Sequence, residues 1–300
     1  MGPVVPTNLC EHRQPPPPTP PLKGRGFQAI ALLFALGLAA CSPAPAREAG
    51  RGLPTIVSLN PCTDAILAEV ADPWQLLAIS SYSHDPAASS MDLALARRFP
   101  ATLGTAEEIQ TLKPDLVVGS PFMPPATVQA LSQMGFRLER VGIASTVEDS
   151  LAQVRQLAAL AGQPERGEAL VGRIEAALAA NRAPAGTPIS ALVWQGGGIV
   201  PGDGSLIADL LRRTGFANAA AARGLGQADI LPLEAVLADP PQLIFATGSK
   251  AGNENRMLRH PALAALKTTR REPLDPALLW CGGPTIMRAA ERLGAVRRSL

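Results

Sequence analysis

The sequence predicts an α/β fold made of two lobes, each with a parallel sheet covered by helices. Short apolar strands alternate with helices, which indicates parallel sheets. An acidic residue, a short helix, a proline break and a buried strand occur in that order twice, at residues 107–118 and 234–244, and a strand-free helical region separates the two copies. Two similar lobes imply a cleft between them, lined by the loops that follow the strands.

The first lobe is expected over residues 55–144. Its first strand, residues 55–59, precedes Asn60 and Pro61, and an N-cap residue followed by proline suits the start of a helix over residues 62–70. A polar loop at residues 80–86 follows the second strand. The other elements expected here are strands at 76–79, 116–119 and 137–141 and helices at 107–112 and 126–134.

Residues 145–182 are expected to connect the lobes. Ser145 and Glu148 form a capping pattern, and apolar residues follow at helical spacing, punctuated by Gly162 and Pro164. The second lobe, residues 183–300, then restarts the scheme. Its expected elements are strands at 189–194 and 243–246 and helices at 206–214 and 232–238.

Residues 1–40 have the features of an export signal. Lys23 and Arg25 precede an apolar run at residues 27–40, which is too short to cross a bilayer. The run ends in Leu38-Ala-Ala-Cys41, which resembles the bacterial lipobox, where the cysteine is acylated and becomes the first mature residue. Cleavage near residues 43–46 is the alternative, and the proline-rich start suggests a translation start downstream of Met1. Residues 41–54 are expected to form a tether.

Composition and motifs argue against several classes of function. The net charge is +2, and no basic stripe carries interleaved aromatic residues, so the sequence does not indicate nucleic-acid binding. The glycine-rich residues 196–204 lack the spacing of a phosphate-binding loop or a dinucleotide turn. No nucleophile elbow or zinc-protease histidine pair is present. We therefore expect no catalytic residue, resident cofactor or metal.

Four segments, taken together, resemble the metal-chelate class of periplasmic solute-binding proteins. They are residues 55–61, 80–86, 112–117 and 280–284. The class includes the cobalamin-binding and ferric-siderophore-binding components of ABC importers. The resemblance implies two Rossmann-like lobes joined by a long rigid linker helix, with a ligand cleft between the lobes that closes only slightly. It also implies a monomeric periplasmic lipoprotein that passes its ligand to a permease dimer with a cytoplasmic ATPase.

Cobalamin or a related corrinoid is favoured as the ligand. Residues 80–83 resemble the corresponding loop of cobalamin binders, and the expected cleft loops hold few basic residues for an anionic siderophore. Residues 280–284 resemble the siderophore branch as well. Haem is less favoured, because Tyr82 is the only tyrosine that could ligate its iron. The rival functions are a lipoprotein sensor or assembly factor without transport, and an exported hydrolase that uses His84 and Asp85.

The candidate ligand contacts are aromatic and polar side chains on loops that follow strands. Such loops suit a flat chelate, because they combine ring stacking with hydrogen bonds. For Trp194 and Trp280 the alternative is core packing, and for His84 metal ligation is not favoured. The candidates are Tyr82, Ser83, His84, Phe122, Trp194, Gln195 and Trp280.

Two further pairs of residues are singled out. Cys62 and Cys281 are both expected to face the cleft, as a disulfide, as two buried thiols or as soft metal ligands, in that order of preference. Glu107 and Glu234 open the two repeated helices, whereas Glu108 belongs to a capping box. The resemblance implies that each lobe docks one glutamate against permease arginines, so Glu107 and Glu234 are the candidates for that contact.

Overall fold

The computed structural model describes residues 52–183, 185–248 and 260–300. These residues belong to one compact unit, Ala49–Leu300. The expected export signal, the lipidation candidate Cys41 and most of the expected tether lie outside the described residues. In the part of the chain that is described, no helix is both long and apolar enough to span a bilayer.

Lobe one contains a five-stranded sheet. Its strands are β1 (Ile56–Ser58), β2 (Leu76–Ser80), β3 (Ala101–Thr102), β4 (Leu116–Gly119) and β5 (Leu138–Arg140). Its helices are α1 (Pro61–Val70), α2 (Leu93–Ala96), α3 (Ala106–Leu112) and α4 (Pro125–Gln133). The strand order is β3-β2-β1-β4-β5, and every neighbouring pair is parallel.

Local signals in the sequence explain where α1 and α3 begin. The side chain of Asn60 accepts a hydrogen bond of 2.9 Å from the backbone N–H of Cys62, and Pro61 occupies the first turn of α1. Thr105 and Glu108 form the expected capping box at the start of α3. Both helices therefore start where the cap residues indicate.

The connection between the lobes consists of two helices, α5 (Val147–Leu160) and α6 (Pro164–Ala180). The single long helix implied by the resemblance is thus divided, because a turn at residues 161–163 with Gly162 at φ +71° separates the two parts. Helix α6 packs against α5 and α1, and also against the last helix of the chain.

Lobe two contains a four-stranded parallel sheet and a two-stranded antiparallel ribbon. Its strands are β6 (Ile189–Trp194), β7 (Ile199–Val200), β8 (Phe216–Asn218), β9 (Asp229–Ile230), β10 (Leu243–Thr247) and β11 (Arg270–Leu274). Its helices are α7 (Leu206–Arg213), α8 (Leu233–Ala238), α9 (Pro261–Ala265) and α10 (Thr285–Arg298). The strand order is β11-β10-β6-β8, and β7 pairs with β9.

The two sheets confirm the α/β class with two parallel-sheet lobes. In each sheet the strand of the repeated segment, β4 or β10, pairs directly with the first strand of its own lobe. The weak sequence repeat therefore corresponds to equivalent places in the two lobes. One large core contains residues of both lobes, among them Phe216 and Phe245, whose rings meet edge to face at 5.4 Å between centroids.

Polar contacts join the lobes directly. The hydroxyl of Ser90, in the loop that follows Tyr82, donates a 2.8 Å hydrogen bond to the carbonyl of Ala277 in lobe two. The carbonyl of Ser90 accepts from Thr285 and from the guanidinium of Arg288, both on α10. These bonds hold the loop of lobe one against lobe two, next to the cleft.

Candidate functional site

Two neighbouring cavities lie between the ends of the two sheets. The smaller has a volume of about 240 Å³ and is lined from lobe one by Asn60 and Ile143 and from lobe two by Gln227 and Gly282. The larger has a volume of about 750 Å³ and lies mainly against lobe two. Gln195 and Trp280 line both cavities, so they stand at the boundary between them. Together the cavities fall in the size range of small-molecule sites.

The walls of these cavities come from segments that directly follow strands. Asn60 comes after β1, Gly142 after β5, Gln195 after β6, Gly248 after β10 and Asp275 after β11. Because parallel strands of one sheet all end at the same edge, these positions line the carboxyl edges of both sheets. The cleft expected from the two-lobe pattern is thus present and is formed by the expected class of loop.

The cleft lining is rich in amides and apolar side chains. Among the lining residues that the structure describes, Asp275 is the only charged one. Asn60, Gln195 and Gln227 offer amide groups that can both donate and accept hydrogen bonds. Ile143 is 60% exposed and Trp280 is 40% exposed, which leaves apolar surface open to a ligand. Such a lining suits a ligand that presents a flat apolar face together with hydrogen-bonding groups.

Trp280 and Gln195 are therefore the two sequence candidates that line the cavities. Gln195 is held by its backbone N–H, which donates 2.9 Å to the carbonyl of Ile199. Trp280 lies one residue before Cys281, outside any strand or helix. Its ring is only partly covered, so it can stack on a ligand that enters from either cavity.

Tyr82 lies on a short helical turn, Ser81–His84, directly after β2. Its side chain is 63% exposed, at the carboxyl edge of the sheet in lobe one. Pro86 and Ala87, farther along the same loop, line the larger cavity. The loop thus brings an exposed aromatic ring to the cleft side of lobe one.

Ser83 is not a surface residue of the cleft, which corrects the expectation for it. It is fully buried, and its hydroxyl donates a 2.6 Å hydrogen bond to Oδ2 of Asp64 on α1. The same carboxyl oxygen accepts a 3.0 Å bond from the backbone N–H of Ser80. Ser83 and Asp64 therefore anchor the loop that presents Tyr82.

Asp64 was not among the sequence candidates, although an acid inside the apolar helix α1 was a visible signal. Its carboxyl is buried, and among described residues no donor reaches its second oxygen, Oδ1. Burial raises the pKa of Asp64 to about 8, because the hydrogen bonds from Ser83 and Ser80 only partly offset the loss of solvent. The anchor of the Tyr82 loop is thus a carboxyl that takes up a proton near neutral pH.

His84 holds the loop from the other side. Its Nε2 lies 3.1 Å from the carbonyl of Ala96 and 3.2 Å from that of Phe99. The Nε2 atom of the imidazole therefore binds backbone carbonyls, which fixes the ring against the segment around α2. Within the described residues, no cluster of three or more His, Cys, Asp or Glu side chains is arranged to hold a metal ion.

Trp194 is a core residue, which corrects its assignment to the ligand site. It is fully buried and packs in a cluster with Leu192, Val200 and Ile244. As the last residue of β6 it shares a face of the sheet with Leu192, because side chains on a strand alternate between faces.

Phe122, by contrast, is 75% exposed in the loop after β4, at the cleft edge of lobe one.

Cys62 and Cys281 are joined by a disulfide that links the start of α1 to the segment before α10. Their Cα atoms are 5.0 Å apart, across a sequence separation of 219 residues. A Cβ on Gly283 would lie 2.5 Å from Cγ1 of Ile66, and one on Gly282 would lie 2.2 Å from Oγ of Ser150. The glycines after Cys281 therefore let lobe two approach α1 and α5 closely beside the disulfide.

Glu107 and Glu234 occupy matching positions. Each is the second residue of its short helix, α3 or α8, and each is exposed. The neighbouring Glu108 is engaged, since its carboxylate accepts hydrogen bonds from Thr102 and Leu103, and the bond from Thr102 above all lowers its pKa. Both glutamates lie at the carboxyl edge of their sheets, because helices that precede parallel strands run antiparallel to them.

Comparison with known proteins identifies what this two-lobed chain is similar to. The family model described as a periplasmic binding protein matches residues 56–273. No protein with a curated description matches the sequence significantly.

Solved structures with the same fold are numerous. The periplasmic haem-binding protein RhuT from Roseiflexus sp. RS-1 is 23% identical with a TM-score of 0.62, and the match covers 83% of this chain and 98% of that one. The haem-binding protein HutB of Vibrio cholerae is 19% identical with a TM-score of 0.66, covering 81% and 98%. The vitamin B12-binding protein BtuF of Vibrio cholerae is 21% identical with a TM-score of 0.57, covering 82% and 96%. At these identities the likeness establishes the shared fold.

Proposed function

Because this chain belongs to the periplasmic binding protein family, we propose that it captures a metal chelate in its cleft and delivers it to an ABC importer. The observation that carries the proposal is the cleft itself. Two sheets end at its walls, and Trp280 and Gln195 stand between two cavities of about 240 and 750 Å³. The site offers ring stacking and amide hydrogen bonds, which suit capture and release of a ligand.

A corrinoid is the ligand that the lining supports best. A corrin ring is flat and carries amide groups around its rim, so it matches aromatic faces flanked by amide side chains. Trp280 and Tyr82 supply the faces, one from each lobe, and Asn60, Gln195 and Gln227 supply the amides. The likeness of residues 80–83 to cobalamin binders points the same way, and a B12-binding protein is among the structures that share the fold.

Titration calorimetry with a panel of chelates tests the ligand assignment. We expect cobinamide or cobalamin to bind with a dissociation constant in the micromolar range or tighter, and a ferric siderophore to bind more weakly. Tight binding of a siderophore with no response to either corrinoid would refute the corrinoid assignment while leaving the cleft as the binding site.

Haem is the second candidate, and one observation favours it. The phenol of Tyr82 is exposed at the cleft edge, and tyrosinate is a known axial ligand of haem iron. Two of the structures with the same fold are haem-binding proteins. If haem is the ligand, Tyr82→Phe changes the absorption spectrum of the complex. If a corrinoid is the ligand, the same change weakens binding without a new cobalt ligation band.

Delivery requires contact with a permease, and Glu107 and Glu234 are the residues proposed for it. They lie at equivalent, exposed positions of the two lobes. Reversing both charges, Glu107→Lys with Glu234→Lys, should abolish uptake in cells while ligand affinity and thermal stability stay within error of the parent. Undiminished uptake would defeat this docking assignment, and lost ligand binding would place the glutamates in the ligand site instead.

The chain is proposed to act as a periplasmic lipoprotein monomer, anchored by lipid at Cys41. The lipobox-like residues 38–41 support this, and the resemblance supports a permease dimer with an ATPase as the partner. Under this proposal the chelate is cargo, and the protein holds no resident cofactor.

A further inference from the structure

The disulfide between Cys62 and Cys281 forms part of the wall of the smaller cavity. Cys62 lines that cavity together with Trp280 and Gly282. Its Sγ atom lies 3.4 Å from the carbonyl oxygen of Trp280, although 218 residues separate the two in sequence. Cys62 is only partly buried, whereas Cys281 is 4% exposed. The cross-link therefore has its accessible cysteine on the cavity side, beside the residue whose ring is proposed to stack on the ligand.

The segment that carries Trp280 belongs to lobe two in sequence but is fastened to lobe one and to the linker. The hydroxyl of Ser90 binds the carbonyl of Ala277 ahead of it, and behind it the N–H of Gly283 donates a 2.7 Å hydrogen bond to Oγ of Ser150 on α5. The disulfide ties the residue next to Trp280 to α1. Of the three attachments it is the nearest to Trp280 and the only covalent one. The position of the ring thus depends on a bond that chemical reduction can break.

From this arrangement we propose that Cys62 and Cys281 form a thiol–disulfide exchange site that controls the position of Trp280 and hence the affinity for the ligand. The oxidised site holds the ring at the boundary between the two cavities, and the reduced site releases it. The reductant is a dithiol. This inference rests on the proposed function for the identity of the ligand, and it adds a redox control of the same cleft.

The exchange balances with one dithiol as the reductant. A thiolate of the dithiol attacks Sγ of Cys62, the S–S bond breaks, and Cys281 leaves as a thiolate that takes up a proton. The second thiol of the reagent, once deprotonated, attacks the mixed disulfide and releases the thiolate of Cys62, which is protonated in turn. The protein gains two electrons and two thiols, and the dithiol becomes a disulfide. Cys62 is the residue attacked, because it lines the cavity whereas Cys281 is buried.

Ligand and reductant reach the site through the same cavity, so each affects the other. A chelate in the smaller cavity covers Cys62 and slows its reduction. The coupling is also reciprocal at equilibrium, because a ligand that binds the oxidised protein more tightly makes reduction harder by the same factor. Loss of the fixed orientation of one large ring should weaken binding about tenfold. Saturating ligand should then lower the reduction potential of the disulfide by about 30 mV, which is the two-electron equivalent of tenfold.

The experiment uses the full chain with Cys10→Ser and Cys41→Ser, which leaves Cys62 and Cys281 as the only cysteines. The protein is equilibrated with mixtures of reduced and oxidised dithiothreitol, with and without cyanocobalamin, and its thiols are counted by mass spectrometry after alkylation. Calorimetry measures the affinity of the oxidised protein for cyanocobalamin, and that of the reduced protein after anaerobic removal of the dithiol.

Two further readouts need no ligand. Hydrogen exchange of residues 279–284 reports whether the segment loosens on reduction. Quenching by acrylamide reports the exposure of Trp280, because the same measurement on Trp280→Phe gives the contribution of the other two tryptophans. These readouts therefore test the attachment of Trp280 independently of what the cleft binds.

Two variants separate positioning from a general loss of stability. Cys62→Ala with Cys281→Ala lacks the exchange site, so it should behave like the reduced parent and ignore the dithiol. Leu131→Ala removes a fully buried side chain on α4 in lobe one, so it lowers the free energy of unfolding while the disulfide stays in place. It should bind cyanocobalamin as the parent does.

The exchange site is supported if reduction loosens residues 279–284, exposes Trp280 to acrylamide and weakens cyanocobalamin binding about tenfold, while the ligand hinders reduction by the same factor. Unchanged hydrogen exchange and quenching on reduction overturn it, whether or not a ligand binds. A change in affinity below twofold, an equal loss in Leu131→Ala, or global unfolding on reduction overturns it as well. If the ligand-free readouts respond to reduction but the oxidised protein binds no cyanocobalamin, the corrinoid assignment is wrong and the exchange site is retained.

Discussion

The disulfide between Cys62 and Cys281 gives the prediction whose size follows most directly from the structure. It closes a loop of 219 residues between the two lobes. Cross-linking so long a loop restricts the unfolded chain, and the loop-entropy relation gives about 5 kcal/mol at 25 °C as the largest expected contribution. Engineered and native disulfides commonly yield less, so we expect Cys62→Ser with Cys281→Ser to lower the free energy of unfolding by about 2–5 kcal/mol.

The assay is guanidinium unfolding of the compact unit Ala49–Leu300, in which these two are the only cysteines. Cys281 is 4% exposed, so a buried serine hydroxyl adds a cost of its own. Unfolding the parent unit with and without a reductant removes that complication, because it breaks the bond without changing a side chain. Two reactive thiols in the untreated native unit, or a loss under about 1 kcal/mol on reduction, would refute the reasoning.

Three other expectations concern the site and the anchor. Ligand binding should quench the fluorescence of Trp280, because this residue lines both cavities. Trp280→Phe should therefore weaken the quenching, whereas Trp194→Phe, in the buried core, should not. Equal quenching in the two variants would show that the ligand does not bind beside Trp280. The pKa of Asp64 is raised from 3.8 to about 8 in the folded chain, so on raising the pH the unfolded chain releases this proton first. The free energy of unfolding therefore falls as pH rises between those two values, by at most about 1.4 kcal/mol per pH unit. Asp64→Asn should therefore flatten the fall in the free energy of unfolding between pH 5 and pH 8, and parallel curves for parent and variant would contradict the raised pKa. Mass spectrometry of the membrane fraction should find an acylated N-terminal Cys41; a free N-terminus after Ala46 would instead indicate ordinary cleavage.

The alternation of short strands and helices was readable from sequence because prolines and cap residues mark the element ends. Asn60 with Pro61 places the start of α1 correctly, and Thr105 with Glu108 places that of α3. The next capping box is shifted by one residue, since Thr146 and Asp149 form it instead of Ser145 and Glu148. Adjacent hydroxyl residues satisfy the same pattern, and only the backbone decides which one caps.

The two tryptophans show where sequence reasoning about the site ends. Trp194 and Trp280 both stand beside glycine-rich segments, and this context suggested the cleft for both. Membership of a strand separates them, because both faces of β6 are covered, with Val193 and Trp194 in different core clusters, whereas Trp280 lies outside any strand. A parallel strand covered on both faces was predicted over residues 189–194, and that prediction alone would have placed Trp194 in the core.

The role of Ser83 depends on a contact that local sequence does not reveal. Its hydroxyl binds Asp64, which lies 19 residues earlier on another element. Whether a small polar residue in a loop faces a ligand or a buried acid is decided by how the loop packs on α1. The same holds for His84, whose ring is taken up by the carbonyls of Ala96 and Phe99.

Uptake by reconstituted vesicles tests most directly whether the cleft serves import of a chelate. The vesicles contain a permease–ATPase complex from the source organism, with ATP inside, and radiolabelled cobalamin is added outside with or without the full chain. We predict that cobalamin accumulates only when the protein is present, and that Trp280→Ala reduces the rate at limiting ligand concentration. Accumulation that is equal with and without the protein, or the absence of uptake for cobalamin, haem and a ferric siderophore alike, would contradict the proposed function.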